Sequence, residues 1–104
     1  EEQKNGFAPS ELTVAWNDIL EFQNVRIDGL MTMAVRSDCS EDARRVFRGL
    51  RELRDQLVAL NSTCSLPQLS MGMSGDFEVA IEEGATLVRV GRTLFDGLKR
   101  PENL

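Results

Sequence analysis

Apolar residues in the stretch 9–22 fall at Leu12, Ala15, Trp16, Ile19 and Leu20, the spacing of a single helical face. Pro9 suits the first turn of that helix, where a missing N–H costs nothing. The period then changes. In Val-Arg-Ile-Asp-Gly-Leu-Met-Thr-Met-Ala, 25–34, Val25, Ile27, Met31 and Met33 take one side and Leu30, Thr32 and Ala34 the other. That is the pattern of a strand covered on both faces. Asp38, followed three residues later by Glu41, predicts a capping-box start with Asp in the role of Ser or Thr. The helix after it runs to about Leu60 and turns Ala43, Val46, Phe47, Leu50, Leu53, Leu57 and Leu60 inward. Arg44, Arg45, Arg48, Arg51 and Arg54 flank this face. Interleaved with Glu52 and Asp55 they read as a solvated surface, with a partner-binding surface as the alternative.

Asn61 and Pro67 bracket a loop. Residues 68–72 form a second strand, and 76–84 a short helix with Asp76 as N-cap, Gly84 just past its end, and Phe77, Ala80 and Ile81 inward. A third strand covers 85–91, and 93–98 makes a last helical turn. Helix and strand alternate with short connections, which predicts parallel strands joined by right-handed crossovers, an α/β architecture. Three parallel strands with helices on one side leave an open edge and an uncovered sheet face. The chain therefore reads as part of a larger (β/α)8 barrel, or as a piece that self-associates or takes another chain to cover that surface.

Composition narrows the chemistry. With 104 residues, 41% hydrophobic and 28% charged, this is one globular domain. A net charge of −5 argues against non-specific nucleic-acid binding, which rests on neutralising phosphates. There is no histidine, and Cys39 and Cys64 have no metal-like spacing, which excludes an ordinary zinc site or an imidazole triad. Two cysteines without a disulfide framework make a reducing cytoplasm the default, and no apolar run reaches the roughly 20 residues of a membrane span. The opening Glu-Glu-Gln-Lys-Asn-Gly-Phe lacks an initiator Met and reads as the interior of a longer protein.

Two loops carry the candidate chemistry. Gly72-Met73-Ser74-Gly75-Asp76 follows the second strand and opens a helix, and Arg89-Val90-Gly91-Arg92-Thr93 follows the third. At the C-terminal ends of parallel barrel strands, exposed backbone N–H groups and helix N-termini attract oxyanions, phosphate above all. Glycine lets the backbone approach the ligand, and a serine hydroxyl adds a donor. Each loop alone is equally a plain strand-to-helix turn, and Arg89 could instead pair with Glu78, Glu82 or Glu83. Having both loops in tandem on consecutive strands favours the anion site.

The stretch Leu-Ser-Met-Gly-Met-Ser-Gly-Asp-Phe-Glu-Val-Ala-Ile-Glu-Glu-Gly-Ala-Thr-Leu-Val-Arg-Val-Gly-Arg-Thr-Leu-Phe-Asp-Gly, 69–97, closely resembles the C-terminal signature of the pyridoxal-phosphate homeostasis protein family. Segments 1–7 and 25–34 resemble that family's regions after its fifth strand and at its sixth. The resemblance implies strands six to eight of an alanine-racemase-type (β/α)8 barrel, fold type III among pyridoxal-phosphate proteins. It implies that Ser74 and the backbone N–H groups of Gly91 and Arg92 hold the cofactor phosphate, that Arg89 lies beside the pyridine nitrogen, and that Met31 and Met33 line the barrel near the ring, although methionines at strand spacing are more often plain core. A permanently charged guanidinium there disfavours ring protonation, and with it extensive carbanion chemistry.

The family's Schiff-base lysine belongs to an early strand, and neither Lys4 nor Lys99 matches it. The whole of 1–104 thus reads as a C-terminal half-barrel without the covalent anchor, expected to bind pyridoxal 5'-phosphate weakly or not at all. The full-length role implied is to bind and buffer the cofactor and pass it to pyridoxal-phosphate-dependent enzymes, with no nucleic-acid or membrane partner. An amino-acid racemase on the same fold is the catalytic rival. It is disfavoured by the absence of tyrosine and by a chain ending at Lys-Arg-Pro-Glu-Asn-Leu. A half-barrel interaction module without cofactor is the other.

Overall fold

The computed structural model describes residues 6–35 and 39–91. Its elements run α1 (Pro9–Leu20), β1 (Gly29–Met31), a 3-10 turn (Ser40–Ala43), α2 (Arg44–Leu60), β2 (Gln68–Ser70) and α3 (Phe77–Glu82). β1 and β2 are parallel, with Gly29 opposite Gln68 and Met31 opposite Ser70. A third segment joins β2 through a parallel bridge between Ser70 and Leu87. The mixed α/β order read from the hydrophobic pattern is the order observed.

The strands are shorter than the pattern suggests. Residues 25–34 contribute a ladder of three residues, 68–72 another of three, and 85–91 a single bridge supplemented by loop hydrogen bonds. A strand extends only as far as its neighbour pairs with it, and β1 has a described neighbour on one side only. Helix α1 begins at Pro9 with Glu11 accepting the Ala8 N–H. The Asp38 cap lies outside the described residues, as does the 93–98 turn.

Helices α1, α2 and α3 cover one face of this small sheet. Phe47 and Ala43 from the second helical region meet Leu69, Met71, Val79 and Ala80, while Trp16, Leu53, Leu57 and Leu66 form a second cluster; Leu30 packs against both. Val46 and Leu60, expected inward, are exposed; Val46 stands one helical step around from Phe47, which takes the covered side of the same turn. On α3 it is Val79 and Ala80 that are buried, and Ile81 is exposed. Asp76 occupies the N-cap position, yet its carboxylate turns back to accept the Met73 N–H at 2.8 Å. Gly84 ends α3 as expected. At φ +103° it takes the left-handed step, and the N–H of Ala85 reaches the Ala80 carbonyl, the Schellman pattern.

Candidate functional site

The two loops singled out in the sequence leave the sheet at the same end. The Arg89 N–H donates to the Gly72 carbonyl at 2.8 Å, one step beyond the bonds joining Met71 N to Leu87 O and Leu87 N to Leu69 O. Ser74 and Gly91 each lie two residues past that junction. Met31, Ser70 and Leu87 are successive register partners, so by the alternation of strand side chains they share one face. It is the face away from the helices, where Met31 and Leu87 are both more than half exposed. Arg89, two residues beyond Leu87, is exposed. Arg92 lies outside the described residues.

The glycines divide by cause. Gly72 sits at φ +108°, and an added Cβ would lie 2.7 Å from the Ala80 Cβ, so packing against α3 already demands glycine there. Gly75 and Gly91 are different: a Cβ at either would meet nothing within 4 Å. Open space beside two loop glycines at the strand tips suits a ligand that approaches the backbone closely.

Not every candidate residue opens onto one cavity. Ser74 lines a cleft of about 240 Å³ together with Ser40, Glu41, Asp76, Glu78 and Glu82. Met31 lines a separate apolar cleft of about 450 Å³ with Leu12, Trp16 and Leu30. Carboxylates repel a phosphate, and only part of that charge is neutralised, by Arg44 pairing with Glu41 and Glu82. Neither Gly91 nor Arg89 lines the cleft that holds Ser74, and neither lines the cleft that holds Met31.

The arginine-rich face of α2 departs from its reading as a solvated surface. Arg44, Arg48 and Arg51 converge on Glu83, whose side chain is 6% exposed, at 2.8, 3.3 and 3.1 Å. Arg51 also donates to the Glu83 carbonyl, and Arg54 to the Leu66 carbonyl. These arginines fasten the end of α3 and the loop before β2 onto α2. Glu82 and Glu83 take Arg44, Arg48 and Arg51 as their cations in place of Arg89. Pairs separated by 32 to 39 positions in the chain leave no local sequence signal. The one hint was three arginines at helical spacing facing the same way.

Hydrogen bonds from Arg44 and then Arg48 hold the Glu83 carboxyl below the usual carboxylate range, against the opposing effect of burial. A group whose pKa is depressed by folding adds stability above its unfolded pKa and loses that contribution as pH falls through the folded value. Thermal unfolding should therefore show Tm falling as the pH drops below the ordinary carboxylate pKa, about 4.3 for a glutamate. Glu83→Gln should lower Tm at pH 6 and flatten that acid limb. A variant with an unchanged acid limb would assign the acid sensitivity to other carboxylates.

Residues 2–98 match the family described as alanine racemase, N-terminal domain. The chain is 53% identical over 95 residues to a pyridoxal phosphate homeostasis protein of Aquifex aeolicus, covering 91% of this chain and 41% of that one. It is 39% identical over 107 residues to the Homo sapiens protein of the same name, covering 97% and 39%. A solved structure of PipY from Synechococcus elongatus, with PLP bound, superposes with a TM-score of 0.78 at 32% identity, over 85% of this chain and 42% of that one. The chain thus spans about two fifths of the length of the curated relatives it matches. Among the described residues no helix is long and apolar enough to cross a membrane.

Proposed function

We propose, since this chain belongs to the alanine racemase N-terminal domain family, that it forms the part equivalent to strands six to eight of a (β/α)8 barrel that binds pyridoxal 5'-phosphate. The barrel's role on this reading is to hold and buffer the cofactor in the cytoplasm and release it to dependent enzymes, without catalysing turnover itself. The observation that carries it is the Gly72–Arg89 hydrogen bond, which ties together the two strand tips whose residues match the family signature. The names of the relatives and the ligand of PipY support the choice of cofactor.

On this reading the Ser74 hydroxyl and the Gly91 and Arg92 amides bind the phosphate, and Met31 flanks the ring. When bound, the cofactor supplies an aldehyde and an electron-withdrawing ring. The Arg89 guanidinium, which stays charged at any relevant pH, keeps a proton off the ring nitrogen beside it and so weakens the ring as an electron sink. Holding is favoured over carbanion chemistry. Neither Lys4 nor Lys99, both outside the described residues, matches the anchoring amine that the family resemblance implies. On this reading that amine belongs to the portion that the longer relatives carry beyond the matched region.

The test uses the Aquifex aeolicus relative with its matched region replaced by these 104 residues. Ser74→Ala in that chimera should weaken cofactor binding by about 1–3 kcal/mol, the scale of a hydrogen bond to a charged group, measured by absorbance titration. Unchanged affinity would remove Ser74 from the site, and a chimera that binds no cofactor would overturn the assignment.

A further inference from the structure

We infer that Asp76 is a positioning residue for Ser74: its carboxylate fixes the turn that presents the Ser74 hydroxyl to the cofactor phosphate. The inference rests on the phosphate role given to Ser74 above, and it adds a residue to which that reading gives no part. By its place in the sequence Asp76 is the N-cap of α3. An N-cap carboxylate ordinarily accepts an N–H from the first turn of its own helix. Asp76 makes no such bond; its Oδ1 instead accepts the Met73 N–H at 2.8 Å, three residues back.

The turn is closed from both sides. The Asp76 N–H donates to the Met73 carbonyl at 3.1 Å, which makes residues 73–76 a β-turn with Ser74 and Gly75 at its centre. The carboxylate closes a second ring over the same four residues in the opposite sense. The Asp76 carbonyl accepts the Ala80 N–H at 3.1 Å, and Ala80 is fully buried in the cluster with Phe47 and Leu69. Asp76 thus carries the fixed position of α3 into a loop with little packing of its own. Met73 is 45% exposed, and a Cβ at Gly75 would meet nothing within 4 Å.

The same carboxylate holds one peptide group at its second end. The Gly72 carbonyl accepts the Arg89 N–H at 2.8 Å, and the Met73 N–H, the other end of that peptide, goes to Asp76. A peptide group is planar, so both bonds must break before the unit can rotate. One peptide therefore joins the tip of the third strand segment, the Ser74 turn and α3. Without the carboxylate the turn keeps a single backbone bond across two central residues, one of them glycine. The Ser74 hydroxyl then stands in its binding position in a smaller fraction of molecules, and the apparent affinity falls by that fraction.

The experiment titrates the chimera described above with pyridoxal 5'-phosphate, followed by absorbance. Asp76→Ala should raise Kd about 3- to 30-fold, the scale of one hydrogen bond, and by no more than Ser74→Ala does. Asp76→Asn keeps an acceptor oxygen in the same place and should bind within about 2-fold of the parent chimera. The double variant should bind as Ser74→Ala alone does, because a residue acting through Ser74 then has nothing to position. In the cofactor-free chimera, Met73 amide exchange followed by NMR should quicken about 10-fold in Asp76→Ala and stay slow in Asp76→Asn, which controls for the lost charge.

Losses that multiply in the double variant would overturn the inference, since a general weakening of the fold adds to the loss of a hydroxyl and does not vanish with it. An Asp76→Asn chimera as weak as Asp76→Ala would do the same, as would a Met73 amide that exchanges alike in all three proteins. Should Asp76→Ala not fold, Asp76→Glu takes its place: it keeps the charge, moves the acceptor by one methylene, and should weaken binding while Asp76→Asn does not. A chimera that binds cofactor and ignores these changes at Asp76 sinks the inference and leaves the cofactor reading standing. A chimera that binds no cofactor sinks that reading, and the positioning role with it.

Discussion

Phe47→Ala is expected to destabilise the fold by about 3–5 kcal/mol, the range for removing a buried aromatic ring. Phe47 is fully buried and packs in the cluster with Leu69, Met71, Val79 and Ala80, so one ring joins α2 to β2 and to α3. Against the roughly 5–15 kcal/mol that holds a typical domain together, this is a large fraction. Val46, its neighbour in the chain, is 38% exposed, and Val46→Ala should cost less than about 1 kcal/mol. Urea unfolding followed by circular dichroism separates the two, with a lower midpoint and unchanged slope for Phe47→Ala. Equal losses at the two positions would mean that α2 presents a different face to the sheet.

That contrast also marks where sequence reasoning stops. The helical face of α2 was legible because Ala43, Phe47, Leu50, Leu53 and Leu57 repeat every three or four residues, a property of the helix alone. Whether a position at the margin of that face is covered depends on where the neighbouring elements sit, which the helix's own sequence does not state. The same limit explains the shortened strands. Gly84 was legible because a left-handed step after a helix is local. Leu66, which takes φ +48° although it is not glycine, was not. Nothing near it in sequence demands that conformation; it is held by burial of the side chain against Trp16 and Leu57 and by Arg54 on its carbonyl.

The candidate site divides in the same way. The two loops and their glycines were visible as motifs, and parallel pairing brings their starting points together at Gly72 and Arg89. Asp76, Glu78 and Glu82 stand near Ser74 in the sequence, but the approach of Ser40 and Glu41 from the turn before α2 was not visible. Nor was the role of the arginines. Glu83 was one of three candidate partners for Arg89, and its approach to Arg44, Arg48 and Arg51 makes it a buried fastening instead. A site built on long-range pairs is read from a sequence only where local motifs happen to mark both partners.

One substitution made at two glycines should give opposite signs. At Gly29 a Cβ would lie 2.0 Å from the Gln68 carbonyl oxygen and 2.7 Å from the Gln68 Cβ. Those are atoms of the paired strand, with no flexible side-chain end that could swing aside. Making room means parting β1 from β2 and giving up the bonds from Gln68 N to Asp28 O and from Thr32 N to Ser70 O. Gly29→Ala therefore belongs with the exceptional losses, above about 4 kcal/mol, and should leave the chain largely unfolded at room temperature. At Gly49, within α2, a Cβ meets nothing within 4 Å. Gly49→Ala should stabilise by about 0.5–1 kcal/mol, the helix-propensity difference between the two residues. Circular dichroism melts of both variants beside the parent chain check the pair, and a Gly29→Ala protein that melts with the parent would show that Gly29 does not face Gln68 across a parallel ladder.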